Sequence, residues 1–168
     1  MATMVEPILR EFKAETPAIR RILERVPTDK LTWKPHEKSR TLGQLAIHVA
    51  NLPGFAAKIT DADEFSPSTG APPTQINNAD DIRAAFEKNA AIFEERLSKL
   101  TDEAAQGSWR LVVGDKERLR TTKIGALRSN VLNHLYHHRG QLSVYLRLLD
   151  IPVPSVYGPT ADENPFTG

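Results

Sequence analysis

Cysteine is absent from this chain of 168 residues. Its absence excludes disulfide bonds, a thiolate nucleophile supplied by the protein, and sulfur ligands for a metal ion. If the protein binds a metal ion, nitrogen and oxygen atoms must hold it.

The sequence also lacks an excess of charge of either sign, because 22 basic residues face 21 acidic ones and leave a net charge of +1. Such a balance gives no overall attraction to a phosphate backbone, so we expect no nucleic-acid partner. One basic run has acidic residues inside it and no interleaved aromatic residues, and we expect it to be a solvated surface. It comprises Lys116, Arg118, Arg120, Lys123 and Arg128.

Long hydrophobic runs are missing too. No stretch approaches the ~18 consecutive apolar residues of a membrane span, and Glu6 and Glu11 stand where a signal peptide is basic and then apolar. We therefore expect no membrane partner and a cytoplasmic location. Hydrophobic residues make up 40% of the chain and charged residues 26%, which is ordinary globular usage and predicts one domain over residues 1–168.

The first apolar pattern predicts a helix from Ile8 to Val26, which Pro27 ends. Pro17 lies inside this pattern. It either kinks a continuous helix or begins a second one after a Thr16 cap, and we favour the kinked helix.

A second helix is predicted after an ordered loop over residues 29–40, whose Trp33 we expect to pack into the interior. Thr41 and Gln44 have the Thr-x-x-Gln spacing of a capping box, which marks the start of this helix. His48 therefore lies within the helix.

The middle of the chain predicts an irregular connection over residues 61–78 that contains Pro67, Gly70, Pro72 and Pro73, and then a third helix from Ala79 to Leu100. After that helix, apolar residues alternate with polar ones and Gly114-Asp115 can turn the chain, which predicts a short β-hairpin. A last helix is predicted from Lys123 to Leu149. Together these elements predict an all-α fold, a four-helix bundle with the hairpin between helices three and four.

The last helix contains the chain's most informative run, from His134 to Gln141. On a helical wheel centred on Val131, the apolar stripe lies within about 40°, with His138 about 20° and His134 about 60° from the centre. His137 lies about 120° away, and Arg139 is expected to point outward into a salt bridge. The stripe consists of Leu127, Leu135, Leu142, Tyr145 and Leu149.

Residues four apart on a helix are neighbours, so His134 and His138 can direct both rings at one cation. With His48 as a third ligand they predict a metal site that leaves a position open for water or substrate. Three imidazoles suit zinc, nickel, cobalt or iron. The alternative is a set of hydrogen-bonded core histidines.

Three amides flank these histidines at one-turn spacing. Gln44 and Asn51 lie on either side of His48, and Asn130 precedes His134. They either orient the imidazoles or bind substrate, or else they complete hydrogen bonds between helices. No glutamate follows the first histidine of the pair as in the zincin motif, so peptidase chemistry of that type is disfavoured.

The His48 segment Leu-Gly-Gln-Leu-Ala-Ile-His-Val-Ala, combined with His134-x-x-x-His138-Arg139-Gly140-Gln141, resembles the DinB family over nearly the whole chain. The resemblance implies a four-helix bundle in which one histidine from helix two and two from helix four hold a divalent metal. Zinc and nickel are the expected ions.

Some members of this family are thiol-dependent transferases that use bacillithiol or mycothiol, and others are grouped with metal-dependent hydrolases. The resemblance therefore implies an enzyme that acts on a small molecule, with a low-molecular-weight thiol as the expected co-substrate. A non-enzymatic, stress-associated metal- or ligand-binding bundle is the alternative. A homodimer is also expected, as such bundles often form one.

Overall fold

The computed structural model describes residues 3–67 and 76–166 of the chain. Residues 68–75, which include Gly70, Pro72 and Pro73 of the predicted irregular connection, lie outside this description. The described part is mostly helical and has a small three-stranded sheet.

Helix α1 spans Glu6–Glu24 without interruption, so the prediction of one continuous helix across Pro17 is confirmed. Its buried face includes Phe12, Ile19 and Ile22. The ring of Phe12 packs 4.1 Å, centroid to centroid, from that of Phe93 on helix α4, Ala79–Lys99. This contact joins the first and third of the predicted helices in the core.

Helix α2 spans Leu42–Asn51 and begins with the predicted capping box. The Thr41 side chain accepts a hydrogen bond from the Gln44 amide, and the Gln44 side chain accepts one from the Thr41 amide. The chain then turns through a 3₁₀ segment, Pro53–Phe55, into the short helix α3, Ala56–Thr60.

The sheet contains β1 (Glu64–Phe65), β2 (Ser108–Val113) and β3 (Lys116–Thr122). Strands β2 and β3 pair antiparallel across Gly114-Asp115, and Gly114 has the left-handed φ of 60° that glycine tolerates. Strand β1, which lies inside the segment predicted to be irregular, pairs parallel with β2. That strand was missed because two residues are too short to show a period.

Helix α5, Asp102–Gln106, precedes the sheet, and a continuous helical segment follows it. It starts as α6 (Lys123–Ala126), passes through a π-helical segment (Leu127–Asn133) and continues as α7 (His134–Leu148). Helices α1 and α2 each pack against both α4 and α7. The histidine-bearing faces of α2 and α7 therefore meet in the interior.

The π-helical segment corrects the wheel drawn from the sequence. In a π-helix each residue advances by less than the 100° of an α-helix, because hydrogen bonds reach five residues back. The residues of α7 are therefore rotated, so that Arg139 is only 4% exposed instead of pointing outward. His134 and His138 are displaced from the core to its edge, where both are partly buried.

Arg139 does form the predicted salt bridge, but inside the protein. Its Nη1 lies 2.5 Å from Glu15 Oε2 on α1, and its Nη2 donates to the Tyr157 hydroxyl. The guanidinium lies 5.2 Å and 4.9 Å from the ring centroids of Tyr136 and Tyr157. This buried group fixes the rotation of α7 against α1.

Lys123 is buried, although the basic run to which it belongs was expected to be a solvated surface. It is 9% exposed, and its ammonium donates to the Thr60 carbonyl and lies 2.9 Å from an Asp63 carboxylate oxygen. Arg128, in the same basic run, pairs with Glu11 at 2.6 Å. These contacts hold the start of the last helical segment against α3 and α1.

Because Glu15 compensates the buried charge of Arg139, we expect Glu15→Gln to lower the free energy of unfolding by about 3 kcal/mol. The control is Glu87→Gln, which breaks the Arg20–Glu87 pair whose side chains are 45% and 52% exposed. That variant should lose less than about 1 kcal/mol. Urea unfolding at neutral pH measures both, and equal losses would contradict the assignment of Arg139 as a buried structural charge.

Candidate metal centre

The structure brings His48, His134 and His138 together, each with one ring nitrogen within 4.8 Å of the others. The Nε2 atom of His134 lies 3.3 Å from Nε2 of His48 and 2.8 Å from Nε2 of His138. In the part of the chain that is described, no other group of three or more acidic, histidine or cysteine side chains has such a spacing.

The protonation of two of these rings follows from their other nitrogens. Nδ1 of His138 lies 2.7 Å from Gln141 Oε1, which can only accept, so this nitrogen donates. The ring of His134 donates to the backbone carbonyl of Asn130, one turn earlier, and Nδ1 is the nitrogen left for it. In the neutral rings, both Nε2 atoms therefore carry lone pairs and face each other.

Two lone pairs at 2.8 Å repel unless a cation lies between them. A proton is disfavoured there, because burial lowers the pKa of His134 and of His138, although a hydrogen bond to each opposes the shift. Burial also lowers the pKa of His48, to about 4, and the Arg40 charge adds to this effect. The cluster is thus a set of neutral nitrogen ligands.

The separations fit a metal ion. With metal–nitrogen bonds of about 2.0–2.1 Å, ligand nitrogens lie roughly 3.3 Å apart in a tetrahedral site and roughly 2.9 Å apart at adjacent octahedral positions. The two observed distances, 3.3 Å and 2.8 Å, are close to this range and do not select one geometry. Three imidazoles and no thiolate can hold a divalent first-row ion, and the donor set does not select one.

The three predicted amides lie in different surroundings. Gln44 is exposed, and its Oε1 is used in the α2 cap. Asn51 Oδ1 accepts a hydrogen bond from Asn89 Nδ2 on α4 at 3.0 Å, the interhelical role named as the alternative. Asn130 Nδ2 is enclosed and has no hydrogen-bond partner among the described residues.

Gly54 makes the Asn51–Asn89 contact possible. A Cβ at this position would lie 2.2 Å from Asn89 Oδ1. With glycine there, Asn89 can approach α2 and also donate to the Ala50 carbonyl. The end of α2 that carries His48 is thereby tied to α4.

A cavity of about 400 Å³ adjoins the cluster, and His48 and His134 form part of its wall. Asn51 and Asn130 also line it, together with apolar residues from the 3₁₀ turn, the sheet and the positions next to α2 and β1. These apolar residues are Leu52, Phe55, Phe65, Pro67, Trp109 and Leu111.

Sequence reasoning missed two parts of this site. Gln141 could have been found, because it lies one turn after His138 and ligating histidines commonly donate their second nitrogen. Phe65 could not, since its place in the wall follows from the parallel pairing of β1 with β2. His36 and His137 lie outside the cluster.

Comparisons with known proteins agree with this description. The family model described as the DinB family matches residues 1–165. The uncharacterized protein YrdA of Bacillus subtilis (strain 168) is 25% identical over 165 residues, which are 97% of this chain and 93% of that protein.

Two solved structures share the fold. A DinB-like protein from Bacillus cereus ATCC 10987 has a TM-score of 0.71 at 23% identity, covering 94% of this chain and 100% of the other. The DinB-like protein YjoA from Bacillus subtilis has a TM-score of 0.68 at 20% identity, covering 89% and 97%. Across residues 3–67 and 76–166, no helix has the length and apolar character needed to cross a bilayer.

The lowered pKa of His48 predicts a pH dependence for the metal-free protein. The unfolded state takes up a proton near pH 6.5, whereas folded His48 stays neutral down to about pH 4. The free energy of unfolding should therefore fall as the pH falls through this window.

After allowance for solvent screening, we expect His48→Gln to reduce the loss of stability between pH 7 and pH 5 by about 1 kcal/mol. His137→Gln, at an exposed position outside the cluster, is the control and should leave the loss unchanged. Urea titrations of the chelator-treated proteins give the values. A pH profile for His48→Gln identical to that of the wild type would disprove the assignment.

Proposed function

Because the chain belongs to the DinB family, we propose that His48, His134 and His138 hold a divalent metal ion, zinc or nickel, in an enzyme that acts on a small molecule. The observation that carries the proposal is the convergence of three imidazole Nε2 atoms beside a cavity. Three ligands leave coordination positions open for water or substrate.

A divalent ion in this site would supply Lewis acidity, lowering the pKa of a coordinated water or thiol or polarising a carbonyl. The chain's own residues would then hold the reactants. Gln141 and the Asn130 carbonyl orient the rings of His138 and His134, and the mainly apolar cavity wall would contact the ligand.

Of the two reactions considered, thiol-dependent S-transfer fits the site better than hydrolysis. The described residues that line the cavity include no aspartate or glutamate to act as general base. A thiol that coordinates a divalent metal loses its proton without such a base. We therefore propose a low-molecular-weight thiol as co-substrate and hydrolysis as the second possibility.

The finer architecture belongs to the same proposal. We propose that α1, α2, α4 and the last helical segment form a DinB-type four-helix bundle within one domain over residues 1–168. The mutual packing of these helices supports it, as does the β2–β3 pair between α4 and α7. The protein is further proposed to form a homodimer.

Metal content tests the centre directly. Purified untagged protein, loaded with zinc or nickel and desalted, should retain about one ion per chain. His48→Ala, His134→Ala and His138→Ala should each retain far less, since two imidazoles bind more weakly than three. Inductively coupled plasma mass spectrometry gives the stoichiometry.

His137→Ala is the matched control, because His137 is exposed, adjacent to His138 and outside the cluster. It should bind the metal as the wild type does. A wild type that retains no metal after reloading would leave the three histidines as partly buried, hydrogen-bonded groups and remove the basis for catalysis.

Turnover separates an enzyme from a metal-binding bundle. With bacillithiol or mycothiol and 1-chloro-2,4-dinitrobenzene, the metal-loaded protein should form the S-conjugate, and His48→Ala should lower the rate at least 100-fold. Absorbance of the conjugate reports the rate, and His137→Ala is again the control. Inactivity here and with 4-nitrophenyl acetate would favour the non-enzymatic alternative.

A further inference from the structure

The cavity beside the histidines has the dimensions of a small-molecule site. Its volume of about 400 Å³ falls within the roughly 300–1,000 Å³ of ligand pockets. Four of the ten described lining residues come from elements that do not hold the metal ligands, namely the 3₁₀ turn after α2 and strands β1 and β2.

That wall is apolar and partly aromatic. The Phe55 ring meets Phe65 edge-on at 4.9 Å and Trp109 edge-on at 6.3 Å, centroid to centroid. The polar atom of Trp109 is already used, because Nε1 donates to the Lys58 carbonyl. The aromatic part of the wall therefore offers a ligand only apolar surface.

Polar groups are confined to one part of the cavity. The polar lining residues are His48 and His134, with Asn51 and Asn130 within one helical turn of them. No lysine, arginine, aspartate or glutamate is found among the lining residues that the structure describes. A ligand with its own charge would lose hydration in the cavity without gaining a counter-charge.

We propose that this cavity binds an uncharged, mainly apolar small molecule whose hydrogen-bond acceptor lies beside Asn130. Asn130 lines the cavity, and its Nδ2 is enclosed without a partner among the described residues. A rotation of this amide toward the cavity would let a ligand acceptor supply the missing bond. The inference rests on the proposed function only for the identification of this ligand as the substrate.

Two dyes with one skeleton test the charge preference. N-phenyl-1-naphthylamine is uncharged, and 8-anilino-1-naphthalenesulfonate adds a sulfonate to the same rings. By fluorescence titration of the full chain, we expect one saturable site for the neutral dye and an affinity at least tenfold lower for the sulfonate. Equal affinities, or no saturable binding of the neutral dye, would overturn the proposal.

A pair of variants on β2 locates the site. Leu111 lines the cavity, whereas Val113 is 38% exposed and does not. Leu111→Trp should weaken binding of the neutral dye at least tenfold, and Val113→Trp should change it less than twofold. Circular dichroism checks that both fold, and a similar effect of the two variants would place the dye elsewhere. If Leu111→Trp does not fold, the comparison of the two dyes decides.

The orientation has its own test. Propiophenone and propylbenzene differ by one carbonyl oxygen, and both can be titrated as competitors of the neutral dye. Asn130→Leu, a variant of similar shape, should lower the ketone-to-hydrocarbon affinity ratio at least fivefold. An unchanged ratio would show that Asn130 does not donate to the ligand.

The proposal of a metal centre and the proposal of a ligand cavity can be tested independently. His138→Ala removes a metal ligand that is not among the described lining residues, so this variant should still prefer the neutral dye. Leu111→Trp should still bind metal like the wild type. Loss of metal binding alone would reject the proposed function, and loss of the dye preference alone would reject this inference.

Discussion

The convergence of three imidazole nitrogens, one from each of His48, His134 and His138, is the constraint on which the rest of this structure depends. Two of the rings come from α7 and the third from α2, so their convergence requires both helices to keep a fixed register. Hydrogen bonds to Gln141 and to the Asn130 carbonyl fix the rings of His138 and His134. The Asn51–Asn89 bond ties the end of α2 to α4.

The rotation of α7 about its axis places two sets of side chains against different helices. One side of the helix directs Arg139 to Glu15 on α1, and another directs His134 and His138 to α2. An ideal α-helix continuing from Leu127 would point Arg139 outward, as the wheel predicts. The π-helical segment changes the phase, so the apolar residues before it and the buried arginine after it both face the interior. Such segments are frequently found near functional sites.

Features that depend on short spacings in the sequence could be predicted, whereas features that depend on contacts between distant residues could not. The capping box at Thr41, the start of α4 at Ala79 and the proximity of His134 to His138 depend on spacings of a few residues, and the structure shows all three. The burial of Arg139 depends on a change of helix type that no apolar period reveals. The contribution of Phe65 to the cavity depends on pairing with a strand more than forty residues away.

The chemistry of the site follows from what surrounds the histidines. Water has a pKa of 15.7, so its activation demands a large shift, and efficient hydrolysis usually adds a general base. A free thiol has a pKa near 8.5 and needs a much smaller shift of that pKa. The described cavity wall offers amides and aromatic rings but no carboxylate, and the chain has no cysteine of its own. A nucleophile for such a site is therefore best supplied by a second small molecule that ionises easily. The apolar cavity then remains for the compound that this nucleophile attacks.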